Sequence, residues 1–415
     1  MSVVVKQNCQ LCNESKLTVV LELTPTPPAN EFVPAELLKK PQQTFPLRVV
    51  QCEHCFHVQL CDIVDRSLLF DNYVYVSGTS PVFINHFKQY ATDVAHILNL
   101  DHNDFVIDIG SNDGTLLSFF KDMGCSVLGI DPATSIANTA TKHGIETLPI
   151  FFNNNQATQL VKNKGQAKLI LANNVFAHVA DLTDFTMGIK SLLKPDGLFV
   201  FEVSYLVDVY EKTLFDTIYH EHTSYHSVCA LKPFFERLGL ELQHVQRIDT
   251  HGGSIRCFVQ HKQGPLPINP SVNQLITYES NIGLASLKAM QSFNQKIDSI
   301  KHQFVLFIEQ LKSSGKTIAG FGAPAKATTL LYYFGISQHI IDFIVDDSPL
   351  KQGLYSPGMH IPIVDSSILK DDKRCPDYLI ILAWNFAKPI INNHGYFIKN
   401  GGQFIVPLPT FEVIS

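Results

Sequence analysis

Two stretches of this chain alternate short apolar segments with helical patterns, and this alternation limits the folds that are open to it. The first stretch contains the segments FVIDIG (105–110), SVLGID (126–131), KLILANN (168–174) and GLFVFEV (197–203). The second contains TIAGFG (317–322), HIIDFIVDD (339–347), PDYLIILAW (376–384) and GQFIVPLP (402–409). Strands separated by helical segments indicate parallel βαβ units. The sequence therefore predicts an α/β protein with two doubly wound sheets, the second smaller than the first.

The first 70 residues differ from the rest, because they are rich in proline and show little periodicity. Four of the nine cysteines lie here in two CxxC pairs, Cys9 with Cys12 and Cys52 with Cys55. Four thiolates satisfy tetrahedral zinc as a closed structural site, which would stabilise a block with little core of its own. Three nearby residues are possible substitute ligands: His54, His57 and Cys61. Four buried free cysteines are the alternative interpretation.

Length and linker composition predict three units within the 415 residues. Residues 1–70 form the zinc-binding domain, called here the zinc block. Residues 71–263 form the first α/β unit. Residues 264–415 form the second α/β unit, which begins with the linker GPLPINP and continues with a long helix. An apolar stripe from Leu287 to Leu311, with steps of three or four residues, predicts that this helix packs into a core.

Composition excludes two classes of partner. Lys and Arg number 32 against 38 Asp and Glu, which gives a net charge of −6. A protein that coats phosphate backbones shows a basic excess, so we expect no nucleic-acid partner. No apolar run approaches the ~20 residues that span a bilayer, and the start of the chain lacks the features of a signal peptide. We therefore expect a cytoplasmic protein with no membrane contact and with reduced cysteines.

The segment VIDIGSNDGTLL (106–117) joins a predicted strand to a predicted helix through a glycine turn. Gly110 permits the tight turn, and Asp131 lies at the end of the next strand, where an acidic side chain receives the hydroxyls of a ribose. A dinucleotide needs glycine where Asn112 stands, and the carboxylate of Asp113 would repel pyrophosphate. The same carboxylate suits the ammonium and sulfonium of S-adenosylmethionine, which is therefore the favoured cofactor. A turn without a ligand is the remaining alternative.

Polar and aromatic side chains follow the third and fourth predicted strands. Asn174 and His178 lie in ANNVFAHVADL, at the switch point of the sheet. The segment IYHEHTSYH then places Tyr219, Glu221 and His222 close together. A histidine near its reference pKa of ~6.5 can act as a base at neutral pH, and an adjacent carboxylate can orient it. A catalytic metal and a purely structural cluster are the alternatives, although HEH lacks the HExxH register.

The second glycine turn, GFGAPAKATTLL (320–331), indicates an anion site. Backbone N–H groups at the helix start, together with Gly322 and Lys326, suit a phosphate, and Asp346 and Asp347 end the next strand as ribose contacts would. Arg256, in HGGSIRCF (251–258), is a further candidate anion contact. We expect local positive potential at Lys326 and Arg256 on an otherwise negative surface.

The order of these motifs along the whole chain resembles the S-adenosylmethionine-dependent NDP-sugar C-methyltransferases, which make branched deoxysugars such as tetronitrose, mycarose, noviose or virenose. Six motifs carry the resemblance: the paired CxxC knuckles, DIGSNDGTLL, NNVFAHVADL, IYHEHTSY, HGGSIR and GFGAPAKATTLL. The family has a zinc-binding domain, a methyltransferase domain and a C-terminal nucleotide-sugar-binding domain. The resemblance implies methylation of a ring carbon, usually C-3 and sometimes C-5, of a 4-keto NDP-hexose. It also implies a monomer acting on a dTDP- or GDP-linked sugar.

Carried over to this chain, the resemblance implies four groups of site residues. They are zinc ligands Cys9, Cys12, Cys52 and Cys55; cofactor contacts Gly110, Asn112, Asp131 and Asn174; active-site groups Tyr73, His178, Tyr219, Glu221 and His222; and the diphosphate contact Lys326 with its glycine turn. As a hypothesis, His222 removes the proton beside the ketone and is oriented by Glu221, while His178 or Tyr219 donates to the enolate oxygen. An O- or N-methyltransferase acting on a nucleotide sugar and a non-catalytic binding protein are the rival interpretations.

Overall fold

A computed structural model of the chain describes residues 3–70, 81–371 and 373–415. Over residues 3–70, its zinc block contains five strands, a 3-10 turn over Ala35–Leu37 and a short helix. The strands and the helix are β1 (Val3–Val5), β2 (Leu17–Thr26), β3 (Phe45–Cys52), β4 (Val58–Leu60), β5 (Asp62–Val64) and α1 (Arg66–Phe70). β2, β3 and β4 form an antiparallel sheet, and β1 pairs with β5. The proline-rich coil connects β2 to β3, and its Asn30 contacts Glu221.

The first α/β unit has the predicted alternation of strands and helices. Its elements are α2 (Pro81–Leu98), β6 (Phe105–Ile109), α3 (Thr115–Asp122), β7 (Ser126–Ile130), α4 (Thr134–Lys142), β8 (Thr147–Leu148), α5 (Asn154–Lys164), β9 (Ala167–Asn173), α6 (Leu182–Leu192), β10 (Leu193–Ser204), α7 (Leu206–Glu211), β11 (Ser224–Tyr225), α8 (Val228–Arg237), β12 (Leu240–Ile248) and β13 (Ser254–His261).

Seven of these strands form one sheet in the order β12-β13-β10-β9-β6-β7-β8. β6 to β10 run parallel, which confirms the predicted doubly wound sheet, whereas β13 is antiparallel to both of its neighbours. The strand order reverses between β6 and β9, and in such sheets ligands bind beyond the carboxyl ends of the strands at that point. The turns after β6 and β9 carry the predicted cofactor residues to this edge.

The second α/β unit contains a smaller sheet and two helices that precede it. Its elements are α9 (Ser271–Asn281), α10 (Leu287–Ser313), β14 (Ile318–Phe321), α11 (Ala325–Phe334), β15 (Ile344–Val345), β16 (Ile363–Val364), β17 (Tyr378–Ile381), α12 (Ala387–Asn393), α13 (Gly395–Lys399), β18 (Gln403–Val406) and β19 (Glu412–Ile414). The sheet order is β16-β15-β14-β17-β18-β19, parallel except for β19.

The predicted apolar stripe is buried along α10, where Phe293, Ile297 and Phe304 are fully covered. The preceding helix α9 was not predicted, and it packs on α8 and β12 of the first α/β unit. Its Glu279 accepts hydrogen bonds from Tyr205 Oη (2.8 Å) and from the backbone N–H of Val228 (2.7 Å). The start of the second α/β unit is therefore fastened to the first.

The three units share one continuous core. Two further contacts join them near residues 218–225, the segment that contains Tyr219, Glu221 and His222. β11 adds to the zinc block's sheet, beside β4, to give the order β11-β4-β3-β2. Helix α11 packs on β2, and its Thr328 and Thr329 hydroxyls donate to the carbonyls of Ala29 (3.1 Å) and Ile218 (2.8 Å). Within the described ranges, none of the helices combines the length and apolar character needed to cross a bilayer.

Candidate active site

One cavity of about 1130 Å³ lies where the three units meet. Most of the site residues predicted from the sequence line it: Gly110, Asn112, Asp131, Asn174, His178, Tyr219, Glu221, His222 and Lys326. Tyr73 lies outside the described residues. A single chamber therefore contains the proposed cofactor turn, the polar cluster and the start of α11, which is the arrangement that a two-substrate reaction requires.

The glycine turn after β6 has the backbone geometry that its sequence predicts. Gly110 has a φ of 73°, and a side chain there would place its Cβ 2.2 Å from Val175. The Asp131 carboxylate accepts hydrogen bonds from the backbone N–H groups of Asn112 (2.9 Å) and Ala133 (2.9 Å). Burial raises the pKa of Asp131, and these two bonds oppose that effect. Asp131 thus holds the turn in shape at the cavity wall.

Asn174 and His178 both line the cavity, on the segment that follows β9. Asn174 follows β9 with a positive φ of 55°, and its N–H donates to the carbonyl of Glu202 (2.8 Å). A 3-10 turn over Phe176–His178 then brings the imidazole into the cavity. The neighbouring strand β10 therefore fixes the backbone at the switch point of the sheet.

His222 is held in a defined orientation. Its Nδ1 lies 2.7 Å from the carbonyl oxygen of Thr217, which can only accept, so Nδ1 carries the proton and Nε2 has the lone pair in the neutral ring. The rings of His178 and Tyr219 both pack against it, with centroids 5.0 and 4.2 Å from that of His222. This tautomer gives His222 Nε2 the protonation state of a general base.

Glu221 makes a different contact from the one expected. Its Oε1 accepts a hydrogen bond from Nδ2 of Asn30 (2.7 Å), in the proline-rich coil of the zinc block, and the residue is 3% exposed. Burial raises the pKa of Glu221 to about 7, while the Asn30 amide opposes the shift. The proton on His222 Nδ1 is therefore oriented by the Thr217 carbonyl, and the carboxyl beside it is held by the zinc block.

The sequence patterns predict a role for neither Asn30 nor Thr217. Asn30 lies 191 residues before its partner, and Thr217 contributes only its backbone carbonyl. No local spacing marks either residue, because both act through tertiary contacts. The coil TPTPPANEF does show an unusual density of prolines, which restrict its conformation.

Lys326 lies at the base of the cavity in a mostly buried position. Its Nζ is 3.6 Å from the centre of the Trp384 ring and 4.0 Å from Oδ2 of Asp216. Burial lowers the pKa of Lys326 to about 8, and the nearby Asp216 carboxylate opposes the shift. A second lysine, Lys351, also lines the cavity and donates to the carbonyl of Ala323 (2.7 Å). Lys326 lies in the helix that follows the second glycine turn, and Lys351 bonds to the carbonyl of Ala323 within that turn.

The structure does not support Arg256 as an anion contact. The residue is 3% exposed in β13, where its guanidinium pairs with Glu202 (2.7 Å) and lies 3.9 Å from the Tyr90 ring centre. The prediction failed because the glycine turn leads into a strand that is paired on both sides, with β10 and β12. Gly322 (φ 85°) also lies behind the cavity wall, where a Cβ would come 2.6 Å from Ala383. Gly322 thus shapes the turn without itself lining the cavity.

The four cysteines converge as the CxxC spacing predicts. Their Sγ atoms all lie within 4.8 Å of one another, and two pairs, Cys9 with Cys55 and Cys12 with Cys52, are 3.5 Å apart. A tetrahedral ion with Zn–S bonds of about 2.3 Å needs sulfur atoms about 3.8 Å apart, so the cluster fits zinc. The proposed substitute His57 instead faces Ser224, with Nε2 3.2 Å from the hydroxyl oxygen.

Comparisons with known proteins find similarity along almost the whole chain. Three family models match in succession: a zinc binding domain over residues 9–70, a methyltransferase domain over 84–245 and a C-methyltransferase C-terminal domain over 249–409. The chain is 35% identical over 407 residues to the C-methyltransferase NovU of Streptomyces niveus, covering 98% of this chain and 96% of NovU. The chain belongs to the S-adenosylmethionine-dependent NDP-sugar C-methyltransferase family.

More distant similarities are restricted to parts of this methyltransferase. A ubiquinone biosynthesis O-methyltransferase of Rhodopseudomonas palustris is 30% identical over 95 residues, which is 23% of this chain and 38% of that protein. The plantazolicin methyltransferase BpumL, solved in complex with SAH, has a TM-score of 0.35 and 10% identity over 43% of this chain and 84% of its own. Similarity to NovU, in contrast, extends through all three units of the methyltransferase.

The methyltransferase uses S-adenosylmethionine and a structural zinc, and its own residues fit both. For the cofactor, one further residue was missed in the sequence. Asp108, at the end of β6, lines the cavity, and its buried Oδ1 has no hydrogen-bond partner among the described residues. Burial, together with the charge of Asp131, raises the pKa of Asp108 to about 8. A cationic ligand, such as the ammonium group of S-adenosylmethionine, would satisfy this carboxylate.

Proposed function

We propose that this methyltransferase transfers a methyl group to a ring carbon, C-3, of a 4-keto NDP-deoxyhexose through an enolate. The observation that carries the proposal is the fixed tautomer of His222, which lines the shared cavity and keeps the lone pair of its neutral ring on Nε2. Methylation of oxygen or nitrogen does not require removal of a carbon-bound proton, whereas methylation of carbon does. A base beside two rings that can donate hydrogen bonds suits methylation of carbon.

The 4-ketone acidifies the neighbouring C–H bond, so a base of ordinary strength can remove the proton. In the proposal, His222 Nε2 takes this proton and its Nδ1–H remains bonded to Thr217. His178 or Tyr219 donates a hydrogen bond to the developing enolate oxygen, which stabilises charge that is present only in the transition state and the enolate. S-adenosylmethionine supplies the methyl group that the enolate carbon accepts.

The carboxyl of Glu221 lines the same cavity as His222. With a pKa raised to about 7, it is partly protonated at neutral pH and can then donate a hydrogen bond to a substrate oxygen. The Asn30 amide holds Oε1, so the proton on a neutral Glu221 belongs on Oε2. We propose that Glu221 contacts the sugar rather than orienting His222.

The nucleotide is proposed to bind along the second α/β unit. Lys326 and Lys351 line the cavity beside the start of α11, and their ammonium groups suit a diphosphate. Both are largely buried, so an anion bound there is attracted through a medium of low dielectric. This pair takes the place of the predicted pair of Lys326 and Arg256, and dTDP- and GDP-linked sugars both carry the required diphosphate.

The test is incubation with S-adenosylmethionine and a panel of 4-keto NDP-sugars, followed by NMR of the product. We expect a new methyl signal on a ring carbon and, in D₂O, deuterium incorporation at that carbon when the methyl donor is omitted. The variant His222→Ala should lose both activities by at least about a hundredfold. A His222→Ala enzyme with near-wild-type turnover would exclude this base, and a product methylated on oxygen or nitrogen would refute the reaction type.

A further inference from the structure

The loop that carries His222 continues directly into a strand of the zinc block's sheet. β11 begins two residues after His222 and forms the edge of that sheet, with Ser224 opposite Gln59 of β4. The N–H of Leu60 donates to the carbonyl of Thr223 (3.0 Å), which extends the pairing to the residue next to the histidine. The zinc block therefore fixes the backbone on one side of the proposed base.

The side chain of Thr223 connects the zinc block's sheet to the segment that carries His178. Its Oγ1 lies 3.0 Å from the carbonyl oxygens of both Ala177 and Val179, the residues on either side of His178. Thr223 is 4% exposed, so water does not compete effectively for its single hydroxyl proton. The hydroxyl thus ties the backbone beside His222 to the backbone around His178.

We propose that Thr223 is a positioning residue through which the zinc block sets the spacing of the two histidines. The ring centroids of His178 and His222 are 5.0 Å apart with an interplanar angle of 27°. His178 ends a 3-10 turn and His222 lies in a loop, so each ring is carried by a short segment whose N–H at the histidine bonds only three residues back, to Val175 and Tyr219 respectively. The Thr223 hydroxyl is a direct bond between those segments, and its donor belongs to a residue paired with β4.

The first zinc knuckle contacts the same position. Gln10 lies between the cysteines of the first CxxC pair, and its N–H donates to Oε1 of Gln59 (2.7 Å). Its side-chain amide donates to the carbonyl of Thr223 (3.4 Å), and its Oε1 accepts from the Ser224 hydroxyl (3.4 Å). The first zinc knuckle therefore contacts Thr223 and Ser224 through the Gln10 side chain, although the closed metal site takes no part in the chemistry.

Catalysis is sensitive to such positioning, because small displacements of a base or a donor reduce the rate strongly. The cofactor turn after β6 is not part of this connection. Loss of the Thr223 tie should therefore slow proton removal and leave binding of S-adenosylmethionine unchanged. This inference rests on the proposed role of His222 as the base.

The experiment measures deuterium incorporation into a 4-keto NDP-sugar in D₂O without methyl donor, beside full turnover. Thr223→Val removes the hydroxyl at nearly constant volume, and we expect both rates to fall about tenfold with an unchanged KM for the sugar. Thr223→Ser keeps the hydroxyl and should stay within about twofold of wild type. The matched control is Thr186→Val in α6, which removes a buried hydroxyl that has no partner among the described residues.

Three outcomes separate this inference from the proposed function. If wild-type enzyme shows no exchange with any 4-keto sugar, the proposed function fails. If wild type exchanges and Thr223→Val does so equally fast, the positioning role is refuted. Thr223→Val is uninformative on its own if it also weakens S-adenosylmethionine binding or lowers the melting temperature. In that case exchange is measured with Gln10→Ala, because Gln10 is only half-buried and its truncation disturbs the fold less. A threefold loss of exchange with unchanged cofactor affinity supports the inference, and an unchanged exchange rate refutes it.

Discussion

Glu221 should make the stability of this methyltransferase depend on pH in a way that a single substitution abolishes. The carboxyl is 3% exposed, and burial raises its pKa from 4.5 to about 7. In the unfolded chain the group ionises near pH 4.5, so between pH 4.5 and 7 folding requires it to take up a proton. Stability from this group is therefore fully present below about pH 4.5 and is lost as the pH rises through 7.

The size of the effect follows from the two pKa values. A difference of about 2.5 between 4.5 and 7, at 1.36 kcal/mol for each pKa unit, corresponds to a total of about 3.4 kcal/mol. Part of this is already lost at pH 5, so the change between pH 5 and pH 8 is about 2.5 kcal/mol. Glu221→Gln has a neutral side chain of the same shape and does not titrate. Between pH 5 and pH 8, the free energy of unfolding of the variant should therefore rise by about 2.5 kcal/mol relative to that of the wild type.

The assay is denaturant unfolding of both proteins, without ligands, at several pH values from 5 to 8. The control is Glu146→Gln, which makes the same chemical change at an exposed position paired with Lys164. A second variant, Asn30→Leu, removes the amide that opposes the shift and should move the pH-dependent loss of stability to higher pH. A constant difference between Glu221→Gln and wild type from pH 5 to 8 would refute the argument.

Three other predictions concern the cofactor, the substrate and the metal. Asp108→Asn should weaken S-adenosylmethionine binding about tenfold by calorimetry, because it removes the buried carboxylate proposed to meet a cation; unchanged affinity would contradict that contact. Lys326→Met should raise the KM for the nucleotide sugar, and wild-type affinity should fall above the lysine pKa of about 8, where its charge is lost; a pH-independent KM from 7 to 9 would contradict the role. Cys12→Ser should reduce the zinc content measured by elemental analysis and lower the melting temperature, whereas Cys375→Ser, distant from the cluster, should do neither.

The parts of the fold that could be predicted from the sequence are those determined by local pattern. Buried strands such as β6 and β14 show as apolar runs, and the turns after them show as glycines. The zinc ligands follow from the CxxC spacing, because two residues between cysteines place both thiolates on one turn. Candidates such as His222 and Lys326 lie directly after such elements, and so the topology brings them into one cavity.

The interpretations that failed depend on contacts between distant parts of the chain. Arg256 looked accessible beside two glycines, yet β13 inserts into the sheet between β10 and β12 and buries it against Glu202. Glu221 is adjacent to His222 in sequence, but its observed partner is Asn30 in another unit. Neither contact has a local pattern, because long-range pairing is decided by how the units pack.

The addition of β11 to the zinc block's sheet has a consequence for synthesis of the protein. β4 ends at residue 60 and its partner begins at residue 224, so the sheet of the N-terminal unit stays incomplete while more than 160 further residues are made. Ile218, four residues before His222, accepts a hydrogen bond from Thr329 of α11, which is synthesised later still. Strand pairings between residues so far apart in sequence form late. Until β11 has been made and has paired, the edge of β4 stays open. A nascent chain should thus acquire its methyl-transferring centre only when synthesis is nearly finished, with the incomplete N-terminal sheet most exposed to aggregation until then.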